Sequence, residues 1–157
     1  MKTTINILFV PITILCATLP LLACGDNDGD TTPPIIHLIA PAEGDTLLIG
    51  SKVHFDMELF DNEMLSSYKV EIHNNFDGHT HHRTHGNEAG IPYSFQKVWD
   101  VSGKRNTKIH HHEIEIWSNA HPGRYHLMIY CSDIAGNEAY VARNIVLSHD
   151  GVTHDHE

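Results

Sequence analysis

Four histidines stand in the heptapeptide HTHHRTH, as His79, His81, His82 and His85, in a stretch with almost nothing apolar. Neutral imidazole is a borderline ligand that suits zinc, copper, nickel and iron(II), and a nearby carboxylate can complete such a shell. Four imidazoles in seven residues have no packing advantage, so metal binding is the chemistry this pattern points to. His79 and His81 are separated by one residue and leave an extended chain on the same side. His82 and His85 can turn toward the same point through a loop that Gly78 and Gly86 leave pliant. His73 lies just upstream, on the polar face at the end of an alternating segment, and Asp77 or Glu88 can add a carboxylate.

A second cluster is KIHHHEIEIW at 108–117. His110 and His112 share one parity, and His111 shares the other with Glu113 and Glu115. The even set continues as Ile114 and Ile116, which read as core. His110 and His112 are therefore expected where the core opens at a sheet end, within reach of the loop. The predicted metal ligands are His73, His79, His81, His82, His85, His110 and His112. His37, His54, His121 and His126 are read as solvated or hydrogen-bonded histidines. The tail from His149, with Asp150, His154, Asp155, His156 and Glu157, alternates histidine with acid and is expected to be an accessory metal-gathering segment.

Zinc, or another divalent transition ion, is the cofactor expected. Copper(II) and nickel would also bind in vitro by the Irving–Williams order. No cysteine pair suggests a structural thiolate site, and no methionine cluster suggests copper(I). The loop lacks the apolar wall that haem needs. No H-E-x-x-H signature or nucleophile context is present, so no enzyme and no catalytic residue are predicted.

The elements that must position these groups read as strands. Val53, Phe55, Met57 and Leu59 alternate with Lys52, His54, Asp56 and Glu58. Tyr68, Val70 and Ile72 alternate with Lys69, Glu71 and His73. Ile114 and Ile116 alternate with Glu113, Glu115 and Trp117, and Tyr125, Leu127, Ile129 and Cys131 with His126, Met128 and Tyr130. Period two with one polar face is a half-buried antiparallel strand. Turn signals at 41–44, 61–62, 121–123 and 135–137 separate them, and no stretch holds a helical period. The expectation is an all-β, antiparallel β-sandwich over 35–148.

Two segments narrow this by resemblance. PPIIHLIAPAEGDTLLIGSKVHF is similar to the entry of bacterial immunoglobulin-like domains: an apolar strand, P-x-x-G-D, then a second strand. GRYHLMIYCSDIAGNEAYVARNIVL resembles their last hairpin, G-x-Y-x-L followed by D-x-A-G-N. The resemblance implies an immunoglobulin-like sandwich with the histidine-rich loop inserted after the third strand. It makes Tyr125 a corner tyrosine tied by its hydroxyl to nearby backbone, and Gly136-Asn137 a tight turn.

The first 23 residues end in Leu21-Leu22-Ala23, followed by Cys24. This resembles the signal peptide and lipobox of bacterial lipoproteins, with Cys24 acylated and the preceding residues removed. Pro11 and Pro20 interrupt the apolar run and argue against a transmembrane helix. Residues 24–34 read as a flexible acidic tether, and the acids near Cys24 resemble the surface-export signal of Bacteroidetes lipoproteins. DNDGD at 26–30 echoes the start of a calcium loop. It lacks the distant bidentate glutamate that a contiguous loop needs, so calcium is not expected there. The remaining thiol, Cys131, is expected as a small buried residue.

With 10 basic and 20 acidic residues and a net charge of −10, the chain is unsuited to nucleic acid. Lipobox, single sandwich and histidine-rich insertion together resemble a family of small Bacteroidetes lipoproteins of unknown function. The expectation is an outer-membrane lipoprotein, periplasmic or surface-exposed, held to membrane lipid through Cys24. It would capture, buffer or hand over a metal ion, with an outer-membrane receptor or transporter as a candidate partner. The alternative is an adhesion module whose sandwich displays loops to protein or glycan, with no metal role.

Overall fold

The computed structural model describes residues 29–75 and 90–150. They form an all-β sandwich of eight strands: β1 (Ile35–Ala40), β2 (Thr46–Leu48), β3 (Phe55–Phe60), β4 (Leu65–Asn74), β5 (Phe95–Asp100), β6 (Asn106–His111), β7 (Gly123–Asp133) and β8 (Glu138–Ser148). One sheet has the order β1-β3-β6 and the other β2-β8-β7-β4-β5. All pairings are antiparallel except the short β2, which runs parallel to β8. The alternation read in the sequence is what builds the core. Phe55, Met57 and Leu59 from one sheet meet Tyr68, Val70, Ile72, Leu127, Ile129, Ile145 and Leu147 from the other, all at most 2% exposed. Burying these side chains is the dominant favourable term for such a domain.

A pile of four rings ties the sheets together. Phe55 on β3 stacks on His111 of β6, His111 on Trp99 of β5, and Trp99 on Tyr68 of β4, with centroids 4.9, 5.0 and 4.9 Å apart. Tyr125 makes the expected tie: its hydroxyl donates to the His121 carbonyl at 2.7 Å and accepts from the Tyr93 amide at 3.2 Å. The β7–β8 turn passes through Gly136 at φ +91°, a conformation that L side chains rarely adopt.

Strand directions give the sandwich two chemically different ends. β3 runs toward the turn at 61–64 and β4 runs back from it, while β6 and β7 run antiparallel to β3 and β4 respectively. His54, His112, the end of β4 and the end of β8 therefore lie at one end. The entry to β1, the 61–64 turn and the β7–β8 turn lie at the other. The histidine-rich segment expected after the third strand follows β4 in chain order, because the three-residue β2 precedes β3. Chain returns to the described sandwich at Gly90, where a Cβ would lie 2.6 Å from the His121 Cα.

Candidate metal centre

The outer face of β3 and β6 carries the site. Asp56 is paired directly across from His110, and Phe55 across from His111. One step beyond the ladder, His54 and His112 extend the same outer face. The result is two residues from each strand at i and i+2, side by side on one sheet surface. His54, Asp56 and His110 each offer one ligand atom, all within 4.8 Å of one another. The three imidazoles also cluster: ring centroids are 5.1 Å apart for His54–His110, 5.2 Å for His54–His112 and 5.5 Å for His110–His112.

His54 Nδ1 lies 3.3 Å from His112 Nε2. That contact needs a lone pair on one ring and an N–H on the other, so at least one ring is neutral. The same separation is close to the edge of a zinc tetrahedron, about 3.3 Å for bonds of 2.0–2.1 Å. Two imidazole nitrogens and a carboxylate oxygen, with a third imidazole beside them, suit zinc and its borderline neighbours. His54 and Asp56 are half-buried and His110 is exposed, so an ion could arrive and leave without opening the core.

Neighbouring charges sort the roles of the acids. Glu58, two residues from Asp56, accepts from Lys108 at 2.8 Å and has His37 at 3.7 Å. The Lys108 ammonium, and after it His37, holds the Glu58 carboxyl below the usual range. Glu58 is committed to that ladder, and Asp56 is the carboxylate next to the imidazoles.

His111 points the other way. It accepts from the Glu113 amide at Nδ1 (3.3 Å), which in a neutral ring leaves the proton on Nε2, 3.2 Å from the Tyr68 hydroxyl oxygen. Burial, partly opposed by Glu113, pushes this ring below the ordinary imidazole range. His111 belongs to the core.

The expectation for β6 is corrected in one respect. His110 and His112 do not share a face with Ile114 and Ile116. His111 faces inward and His112 is exposed; Glu113, although exposed, turns toward the other sheet and accepts from Trp99 Nε1 at 3.0 Å, and Ile114 is buried next to it. Two successive residues on the core side reverse the parity, as an extra residue does in a bulge. His110 and His112 sit on the outer sheet surface and not at the mouth of the core. Of the other predicted ligands, His73 lies on the second sheet, paired with His126 and in edge contact with it at 5.5 Å. His126 Nε2 in turn lies 2.7 Å from the side-chain nitrogen Nδ2 of Asn75. His73 is therefore not brought to His110 and His112. His79, His81, His82, His85 and Cys24 lie outside the described residues, as do the signal segment and the tail beyond Asp150.

Sequence reasoning missed His54 and Asp56. The alternation that buried Val53, Phe55 and Met57 already put both on the polar face; the register that sets them against His110 and His112 is non-local.

No curated protein matches the chain. Residues 22–148 match the family described as domain of unknown function (DUF4625).

Proposed function

From the premise that the chain belongs to the DUF4625 family, whose description assigns no activity, we propose that the protein binds a divalent transition metal, zinc foremost, for capture, buffering or hand-over in the cell envelope. The observation that carries this reading is the convergence of His54, Asp56 and His110 within 4.8 Å, with His112 against His54. Partial exposure of the donors suits exchange better than a permanent structural ion. β4 ends at Asn74 at the same end of the sandwich, and the histidines expected as ligands at 79–85 follow it in the chain. Chain entry to β1 is at the opposite end. A lipid anchor at Cys24 would then leave the histidine end facing away from the membrane, where a receptor or transporter could take the ion. The finer fold assignment, immunoglobulin-like, rests on the sequence resemblance and belongs to the same proposal.

Metal content by mass spectrometry tests it. The chain is purified without chelator from metal-replete medium, as wild type and as His54→Ala/His110→Ala. Near-stoichiometric zinc in the wild type, lost in the double variant, supports the reading. Wild-type protein that retains no metal and shows no binding in a buffered zinc titration overturns it.

An adhesion role has one observation in its favour. Tyr140 (67% exposed) and Val98 (57%) stand on the outer face of the five-stranded sheet, with Tyr130 beside Tyr140. It predicts partner binding unchanged by chelator.

A further inference from the structure

The end of the sandwich opposite the histidines holds a cluster of a different kind. Asp30 precedes β1, Asp61 lies in the turn between β3 and β4, and Asp133 ends β7. One carboxylate oxygen from each lies within 4.8 Å of the others. Asp133 is only 3% exposed, the one buried charged residue of the described core. Among the described residues, the buried side-chain polar atoms without a hydrogen-bond partner are Asp30 Oδ2 and Asp61 Oδ1, and both belong to this cluster.

The remaining oxygens are accounted for. Asp30 Oδ1 accepts from the Thr32 amide and Asn62 Nδ2, each at 2.9 Å. Asp61 Oδ2 accepts from the Glu63 amide at 2.8 Å. Asp133 accepts from the Asn137 amide at 2.8 Å and from Asn137 Nδ2 at 2.7 Å, and that Nδ2 also donates to the Asp30 carbonyl at 3.0 Å. The amides thus hold the three carboxylates in place while leaving two oxygens unanswered. None of the ion pairs among the described residues reaches them. Three converging carboxylates with two orphaned, desolvated oxygens are unfavourable by themselves.

We propose that Asp30, Asp61 and Asp133 form a calcium site that fastens the segment preceding β1 to the β3–β4 and β7–β8 turns. An all-oxygen donor set selects a hard cation over zinc. Calcium bonds of about 2.3–2.6 Å place opposite ligands roughly 4.6–5.2 Å apart, matching the span of the cluster, and water completes the shell. The site does not take the form of a contiguous calcium loop. Of DNDGD, the described Asp30 contributes, and the other two carboxylates come from distant turns. Because Asp30 lies in the stretch that leads back to Cys24, calcium would fix how the sandwich stands on whatever precedes it. This site shares no residue with the histidine centre and does not depend on it.

The test is calorimetric titration of the chelator-treated chain with calcium, paired with thermal melts in calcium, magnesium and chelator. One calcium per chain is expected, with Kd in the range of about 0.1–1 mM common to extracellular modules, together with a calcium-specific rise in Tm. Asp30→Asn and Asp61→Asn should each weaken binding by roughly tenfold or more, since affinity follows the number of charged ligands. In chelator both variants should melt no lower than wild type, because a repelling charge has been removed. Asp30→Asn lies outside the sandwich core and guards against a folding defect. No heat and no Tm shift at millimolar calcium overturns the proposal, as does an unaltered calcium response in both variants. Zinc content read on the same preparations before chelator treatment reports the histidine centre separately.

Discussion

Trp99 lies nearly flat on His111, with ring centroids 5.0 Å apart and planes 23° from parallel, although the two residues come from different sheets. The stack, continued by Phe55 on one side and Tyr68 on the other, makes His111 a structural bridge in the middle of a run of three histidines. His111→Ala removes two ring contacts and leaves the Glu113 amide without its acceptor. A loss of about 1.5–4.5 kcal/mol is expected, from roughly 0.5–1.5 for each of the two aromatic pairs and a comparable amount for the amide. Denaturant unfolding followed by tryptophan emission measures it. His110→Ala in the same assay should stay within about 0.5 kcal/mol of wild type, as an exposed position does. Equal losses at both positions would sink the distinction between them.

Which parts of this were legible beforehand follows from the range of each interaction. Period two in Val53–Leu59, Tyr68–Ile72 and Tyr125–Cys131 is a local signal, and the side chains it marked as inward are buried. The Tyr125 tie and the Gly136 turn are equally local. The site was not local. His54 and Asp56 meet His110 and His112 only because Phe55 registers with His111, a pairing 56 positions apart that no window of sequence contains. The parity reversal at Glu113-Ile114 was invisible because three consecutive histidines carry no inward or outward mark. The strand β5 also escaped, since at a sheet edge its Gln96, Lys97 and Val98 are all exposed and dilute the pattern. The acid cluster draws on residues 30, 61 and 133, so a search for a contiguous loop could not find it.

Acid sensitivity should have a component from Glu43. Its carboxylate accepts from Asn144 Nδ2 at 2.7 Å and from the Asn144 amide at 2.9 Å, clasping the loop after β1 to β8. These bonds, the side-chain one first and with a smaller contribution from the charge of Arg143, lower the Glu43 pKa. A carboxyl lowered in the folded state contributes stability that is complete above its unfolded value, near 4.5, and is lost as pH falls through the folded one. Glu43→Gln should therefore melt more nearly like wild type below that window than at neutral pH, where the wild type is the more stable. A difference in Tm that is constant from neutral pH to below pH 4 would exclude the clasp as its source.

Cys131 should be inert in the folded protein. It is fully buried, and burial first, then the Asp61 and Asp133 carboxylates, pushes its thiol up to about 12. The thiolate is the reactive form, so alkylation near pH 8 should be slow in native protein and fast in denaturant. Mass spectrometry of iodoacetamide-treated samples checks this, with Cys16 and Cys24 replaced so that one thiol is counted. Rapid native labelling would mean that the β7 core opens readily.

The loop histidines and the sheet-face histidines make separable contributions to zinc binding. If His54, Asp56 and His110 hold the ion and the loop only assists, changing His79, His81, His82 and His85 together to alanine should weaken zinc by roughly tenfold while leaving about one ion per chain at saturation. His54→Ala/His110→Ala should abolish the stoichiometric site, and His37→Ala, whose ring is committed to Glu58, should change nothing. Because only a neutral imidazole binds metal, zinc should be released as pH falls through about 6.5, the ordinary imidazole range. Titration calorimetry at pH 7.5, 6.5 and 5.5 across the three variants separates the cases. Complete loss of zinc in the loop variant, with retention in His54→Ala/His110→Ala, would move the metal centre off the sheet and into the segment between β4 and β5.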